Sequence, residues 1–189
     1  MHLNFSEGYW TQKQVTVAHP YRFAEAPDFT QEQNCIRSAT NPNHPEGYDN
    51  VSIMSREAYK AGATVTVRCS FAGLGCPEIM VMEDLTACED GSMRYGTGFE
   101  IALYENGINV WRHDRENGKC SWYQRLGVEF PVKEHSVHIL TTRVLKNMLE
   151  ITLNGQKTLL YTPDLPEKFY LGVTACEGVV YIYDMEITP

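Results

Sequence analysis

The sequence predicts an all-β protein, a two-sheet antiparallel sandwich, and three observations carry that expectation. Runs rich in Val, Ile, Thr, Tyr and Phe alternate with period two, residues such as Gly, Asn, Asp and Pro separate them, and helix signals are scarce. The 189 residues suffice to bury one substantial core, and a single domain over 1–189 is expected.

The runs follow one another as "VTVA", "NVSIM", "ATVTVRCSF", "EIMVME", "GFEIALY", "INVWRH", "SWYQRL", "VHILTTRV", "LEITL", "TLLYT", "FYLGVTA" and "VVYIYDMEI". Only "FTQEQNCIRSA" has the composition of a short helix. Residues 1–50 differ from the rest, with prolines at 20, 27, 42 and 45 and the polar stretch "SATNPNHPEGYDN". They are expected to form an irregular N-terminal segment wrapping the sandwich.

The formal net charge of -8 argues against a phosphate backbone or an anionic membrane as partner, because both require a clustered Lys/Arg footprint. No apolar run approaches the roughly 18 residues of a membrane span, and the first residues lack a basic, apolar secretory signal, so a cytoplasmic location is expected. The six cysteines show no close pairing such as Cys-x-x-Cys, which favours reduced, structural thiols over a zinc site.

Asn-Gly occurs at 106–107, 117–118 and 154–155. It favours a two-residue type I′ turn and therefore fixes the register of each hairpin. About Asn106-Gly107 the count places Glu105 opposite Ile108, Leu103 opposite Val110, Ala102 opposite Trp111 and Glu100 opposite His113. About Asn117-Gly118 it pairs Cys120 with Arg115, Trp122 with His113 and Gln124 with Trp111. About Asn154-Gly155 it pairs Leu153 with Gln156 and Ile151 with Thr158. Opposed residues share a face.

One face of this ribbon therefore gathers Glu100, Tyr104, Asn109, Trp111, His113, Trp122 and Gln124, while Ile101, Leu103, Ile108 and Val110 turn to the core. An aromatic platform set with planar polar groups suits a sugar, whose C–H face packs on Trp or Tyr and whose hydroxyls take paired hydrogen bonds. The expected ligand is an oligosaccharide or polysaccharide. The alternative structural reading buries the face under the N-terminal segment, with Glu100 and His113 as a satisfied pair.

The hairpin meander and the closing strands "FYLGVTACEGVVYIYDMEI" resemble the concanavalin A-like lectin/glucanase superfamily, a two-sheet jelly roll. The resemblance covers roughly residues 50–189 and implies a concave sheet that binds glycans. It also implies a structural calcium ion near the chain ends, for which Glu7 and Asp184 are the candidate carboxylates; no other cofactor is expected. In "EIMVME", Glu78 and Glu83 have the spacing of the Glu-x-Asp-x-x-Glu strand of laminarinase-like glycosidases, but Met80 stands in the middle and cannot tune a carboxylate.

Three functional classes follow. The first is a lectin-like carbohydrate-binding domain. The second is a glycoside hydrolase or polysaccharide lyase using Glu100 and His113, with Tyr104 assisting. The third is a protein-interaction module or homodimer joined through the same aromatic face.

Overall fold

The computed structural model describes residues 1–22, 27–40 and 49–189. His44 and most of the polar N-terminal stretch lie outside the described residues. In chain order the strands begin with β1 (His2–Asn4), β2 (Val15–Pro20), β3 (Thr30–Gln31), β4 (Ile36–Arg37), β5 (Asn50–Ser55) and β6 (Thr64–Ala72). Next come β7 (Cys76–Met82), β8 (Thr86–Ala87), β9 (Met93–Tyr95), β10 (Gly98–Tyr104), β11 (Gly107–Glu116) and β12 (Lys119–Glu129). The last are β13 (His138–Leu145), β14 (Met148–Leu153), β15 (Gln156–Tyr161), β16 (Tyr170–Cys176) and β17 (Val179–Thr188).

These strands form two sheets. One runs β15-β14-β13-β6-β17-β4-β3, with β1 also paired to β17; the other runs β12-β11-β10-β7-β16-β5-β2-β9-β8. Every pairing is antiparallel except β2 with β9. The first 50 residues thus contribute strands to both sheets. Where a short helix was expected, over "FTQEQNCIRSA", the chain instead folds back so that Thr30 pairs with Arg37 and Gln31 with Ile36. The Gln31 amide secures that turn by donating to the carbonyls of Phe5, Glu32 and Cys35.

Alternation along the strands builds the core between the sheets. Ile79, Val81, Phe99, Ile101, Val110, Leu171 and Val173 of one sheet meet Val65, Val67, Phe71, Leu140, Ile151, Ile182 and Ile187 of the other. Each such buried side chain contributes about 1.5–3 kcal/mol of hydrophobic transfer. The central strands of the nine-stranded sheet are buried on both faces, because residues 84–97 fold over its outer side. Beneath that cover Ala18, Met54, Met80, Met82 and Tyr95 form a second, smaller core. The Tyr95 hydroxyl meets Ser52 Oγ at 2.7 Å, which satisfies a polar group that burial would otherwise penalise.

Two of the three Asn-Gly hairpins have the expected geometry. Asn117 and Asn154 take positive φ (52° and 49°), followed by Gly118 and Gly155 (78° and 87°), and the pairings Trp122 with His113 and Leu153 with Gln156 are as counted. The first hairpin differs. Its loop is Glu105 and Asn106, Gly107 pairs with Tyr104, and Glu100 lies opposite Trp111 instead of His113.

The cause is at Gly107, which takes φ 141° where a Cβ would overlap the Val128 carbonyl. The glycine is needed for close approach to β12, and Asn106 contributes its carbonyl to the N–H of Phe130. The register shift is two residues, so every side chain keeps its predicted face. A bulge also makes Arg125 an extra residue between the Trp111–Gln124 and Val110–Leu126 pairs. Because it lies beyond Gln124, the aromatic face is preserved.

Candidate functional site

The open end of the nine-stranded sheet, over β10, β11 and β12, carries a cleft of about 240 Å³. Glu100, Tyr104, Asn109, Trp111 and Trp122 line it, together with Ala102 between them on β10. The indoles of Trp111 and Trp122 stack with centroids 6.2 Å apart and an interplanar angle of 29°. Trp122 is 46 % exposed and Trp111 half-buried, so the described residues of the N-terminal segment do not seal the face. Arg22 borders it, its guanidinium 3.1 Å from the Trp122 ring centroid.

His113 and Gln124, the other two predicted site residues, do not line the cleft but act through those that do. His113 is 3 % exposed, and its Nε2 sits 2.7 Å from Oε2 of Glu100, fixing the carboxylate from below. Gln124 Nε2 donates to Asn109 Oδ1 at 2.8 Å. Gly127 makes room for that bond, since a Cβ there would come within 2.7 Å of the Gln124 amide nitrogen.

The structure adds two carboxylates that the hairpin count did not reach. Glu78, on the neighbouring strand β7, is 2 % exposed and lines the cleft beside Glu100. Glu177, in the turn between β16 and β17, lines the opposite rim with φ 58°. Burial, and then the nearby Glu100 carboxylate with which it shares a hydrogen bond, hold Glu78 well above the usual carboxylate range. Burial and Glu100 push Glu177 in the same direction.

The sequence carried part of this signal. Alternation along "EIMVM" places Glu78 on the outer face with Met80, but β7 joins β10 through a long excursion with no hairpin marker. Glu83, its partner in the motif spacing, faces away and holds the buried Arg112 at 2.8 Å. The Arg112 Nε also donates to Asp114 at 2.9 Å, which accounts for the orientation of Asp114 away from the cleft.

Cys76 and Cys176 stand opposite each other across β7 and β16 at the cleft edge. Burial, followed by the nearby glutamates, raises both thiols, so neither is a reactive thiolate at neutral pH. The resemblance named Asp184 and Glu7 as candidate calcium ligands. Asp184 Oδ2 pairs with Arg68 at 2.8 Å, Glu7 is exposed, and among the described residues no group of three or more His, Cys, Asp or Glu is arranged to hold a metal ion.

No family model and no curated protein sequence matches the chain. Solved structures do. Carbohydrate binding module CBM66 from Bacillus subtilis aligns over 91% of this chain and 99% of its own, at TM-score 0.65 and 10% identity. A legume lectin-like domain from Entamoeba histolytica aligns over 98% and 96%, at 0.60 and 14%. The β-agarase A, solved with oligoagarose, aligns over 98% and 87%, at 0.67 and 9%. With two antiparallel-rich sheets built in this order, these likenesses establish the fold as the concanavalin A-like jelly-roll sandwich.

Proposed function

We propose that the chain is a lectin-like carbohydrate-binding domain whose ligand stacks on Trp111 and Trp122. The observation that carries this reading is the pair of stacked, accessible indoles set over a buried polar floor of Glu78, Glu100 and His113. Apolar rings satisfy the C–H face of a sugar, and Asn109, Glu100 and Tyr104 supply directional partners for its hydroxyls. The cleft lies below the range of about 300–1,000 Å³ usual for drug-sized ligands, so it takes one sugar ring and leaves the remainder of a chain outside. That the structural neighbours include a carbohydrate binding module and a lectin-like domain supports the ligand class.

The same geometry weighs against hydrolysis. Glycosidases keep their two carboxyl groups about 5 Å or more apart to admit the anomeric carbon or a water, whereas Glu78 and Glu100 are within hydrogen-bonding reach of each other. The 2.7 Å contact between Glu100 and His113 favours one second reading, proton abstraction by this pair in a lyase. Dimerisation through the aromatic face is the remaining alternative, and it requires Trp122 to become protected as concentration rises.

The test is tryptophan fluorescence titrated with a panel of neutral, acidic and basic oligosaccharides. One glycan class is expected to shift the emission and to protect Trp122 from an aqueous quencher, with both effects lost in Trp122→Ala. An unchanged spectrum across the panel overturns the sugar reading. Turnover of a bound glycan, abolished in Glu100→Gln, would replace it with the lyase reading.

A further inference from the structure

We propose that the protein pairs with a second copy of itself through the free edge of β15, joining two eight-stranded sheets antiparallel about a two-fold axis at Leu159. The contact uses none of the residues that line the cleft, so it stands apart from the sugar-binding reading.

A sheet edge presents a row of unbonded N–H and C=O groups, and proteins blunt such edges with short strands, bulges and charges. Among the described residues, the edge strands β3 and β8 have two residues each. The edge strand β12 carries the bulge at Arg125 together with Lys119 and Glu129. The edge of β15 differs. Its six residues, "QKTLLY", hold no proline and pair with β14 without a break in register. Leu159 and Tyr161 are 52 % and 67 % exposed on its outer face.

The hairpin decides which backbone groups are free. Asn154 and Gly155 form a two-residue loop, so Leu153 and Gln156 exchange hydrogen bonds. Bonding to β14 then falls on Gln156, Thr158 and Leu160, and Thr162 continues it by donating to the Asn147 carbonyl. Lys157, Leu159 and Tyr161 turn their N–H and C=O groups to the open side, where no strand of the described residues lies. In an antiparallel self-pairing centred on Leu159, these are the positions that meet. Leu159 faces its own copy, Lys157 faces Tyr161 of the copy, and every outward group of the stretch finds a partner.

Charge selects a second copy as the occupant. A chain of net charge -8 repels its own image except where acidic groups are sparse, and β15 has one Lys and no Asp or Glu. Glu150, beside it on β14, is already held by Lys157 at 2.9 Å. In the register above no two like charges stand opposite on β15. The two Leu159 side chains cover each other, and each Lys157 meets the Tyr161 ring of the copy. Such self-complementarity is what a two-fold contact requires, since one patch must fit itself.

The experiment is sedimentation equilibrium of the intact chain from about 1 μM to about 1 mM, with amide hydrogen exchange read residue by residue at both ends of that range. A short strand edge buries less than the roughly 800 Å² per partner of a standard interface, so the mass is expected to rise from 21.5 kDa toward twice that value in the upper part of the range. The amides of Lys157, Leu159 and Tyr161 gain protection as it rises, whereas those of Thr158 and Leu160 are protected throughout. Leu159→Lys sets like charges across the axis and is expected to weaken the dimer about tenfold. Tyr161→Glu and Tyr161→Lys test the register. With Lys157 opposite, Tyr161→Glu dimerises about tenfold more tightly than Tyr161→Lys, although the overall charge of the chain favours the reverse. All three substitutions are at exposed positions, so thermal melts stay close to wild type.

A monomer at every concentration, with the three amides exchanging freely, overturns the inference. So does a dimer indifferent to Leu159→Lys. A dimer that protects Trp122 from a quencher instead of these amides overturns it in favour of the aromatic face. Protection of the three amides by an alternating Val-Thr peptide, but not by rising protein concentration, overturns the second copy as the occupant.

Discussion

His113 Nε2 lies 2.7 Å from Glu100 Oε2, with both side chains buried beneath two accessible tryptophans. The pair is a support for the cleft floor, and its strength is exposed by removing one partner. His113→Ala leaves the buried Glu100 carboxylate without its imidazole partner, at an expected cost of about 3 kcal/mol. Urea unfolding should show a lower midpoint with an unchanged slope, and a midpoint within error of wild type would mean that the contact contributes little.

Glu78 sets the pH response of the empty protein. Its folded-state carboxyl is raised by burial and by Glu100, so the folded state holds this proton more tightly than the unfolded chain. The associated stability is complete below the ordinary carboxylate range and is lost as pH rises toward the folded value. The slope approaches about 1.4 kcal/mol per pH unit in that window. Glu78→Gln should flatten the dependence of Tm on pH there and stabilise the protein above it. A wild-type Tm that rises steadily through this window contradicts the protonated state.

Trp122 is the more exposed of the two stacked indoles and its ring is held by Arg22. Trp122→Ala should weaken glycan binding by about 2 kcal/mol, roughly thirtyfold, while leaving folding stability almost unchanged. Trp111→Ala should weaken binding comparably and also cost stability, because its ring is half-buried. Comparison of dissociation constants with thermal melts separates the two effects.

Gly127 and Gly98 separate flexible from rigid neighbours. An alanine at 127 meets only the ends of Gln124 and Asn109, which can swing aside. It should break the amide pair on the platform, shift ligand affinity and change stability by no more than about 0.5 kcal/mol. An alanine at 98 meets the Val81 carbonyl and the Met82 backbone, in a left-handed conformation of φ 149°. That substitution should cost about 2 kcal/mol or more, read by chemical denaturation.

Local physics determined much of this protein from sequence alone. Period-two alternation and turn residues predicted the long strands, because a strand with one buried face must write that face into every second residue. The Asn117-Gly118 turn fixed the pairing of Trp122 with His113, since two adjacent left-handed residues admit only a tight reversal. The seven platform residues were placed on the correct face even where the first hairpin slipped, because a two-residue slip conserves parity. The tertiary structure decided what depends on contacts between distant segments. Gly107 was taken from its turn by the backbone of β12, and short strands β3 and β4 replaced an expected helix because β17 offered them an edge. Glu78 and Glu177 reached the cleft through a long excursion and a turn at the far end of the chain. The charge of the site arises from burial and from the meeting of three glutamates that no short stretch of sequence contains.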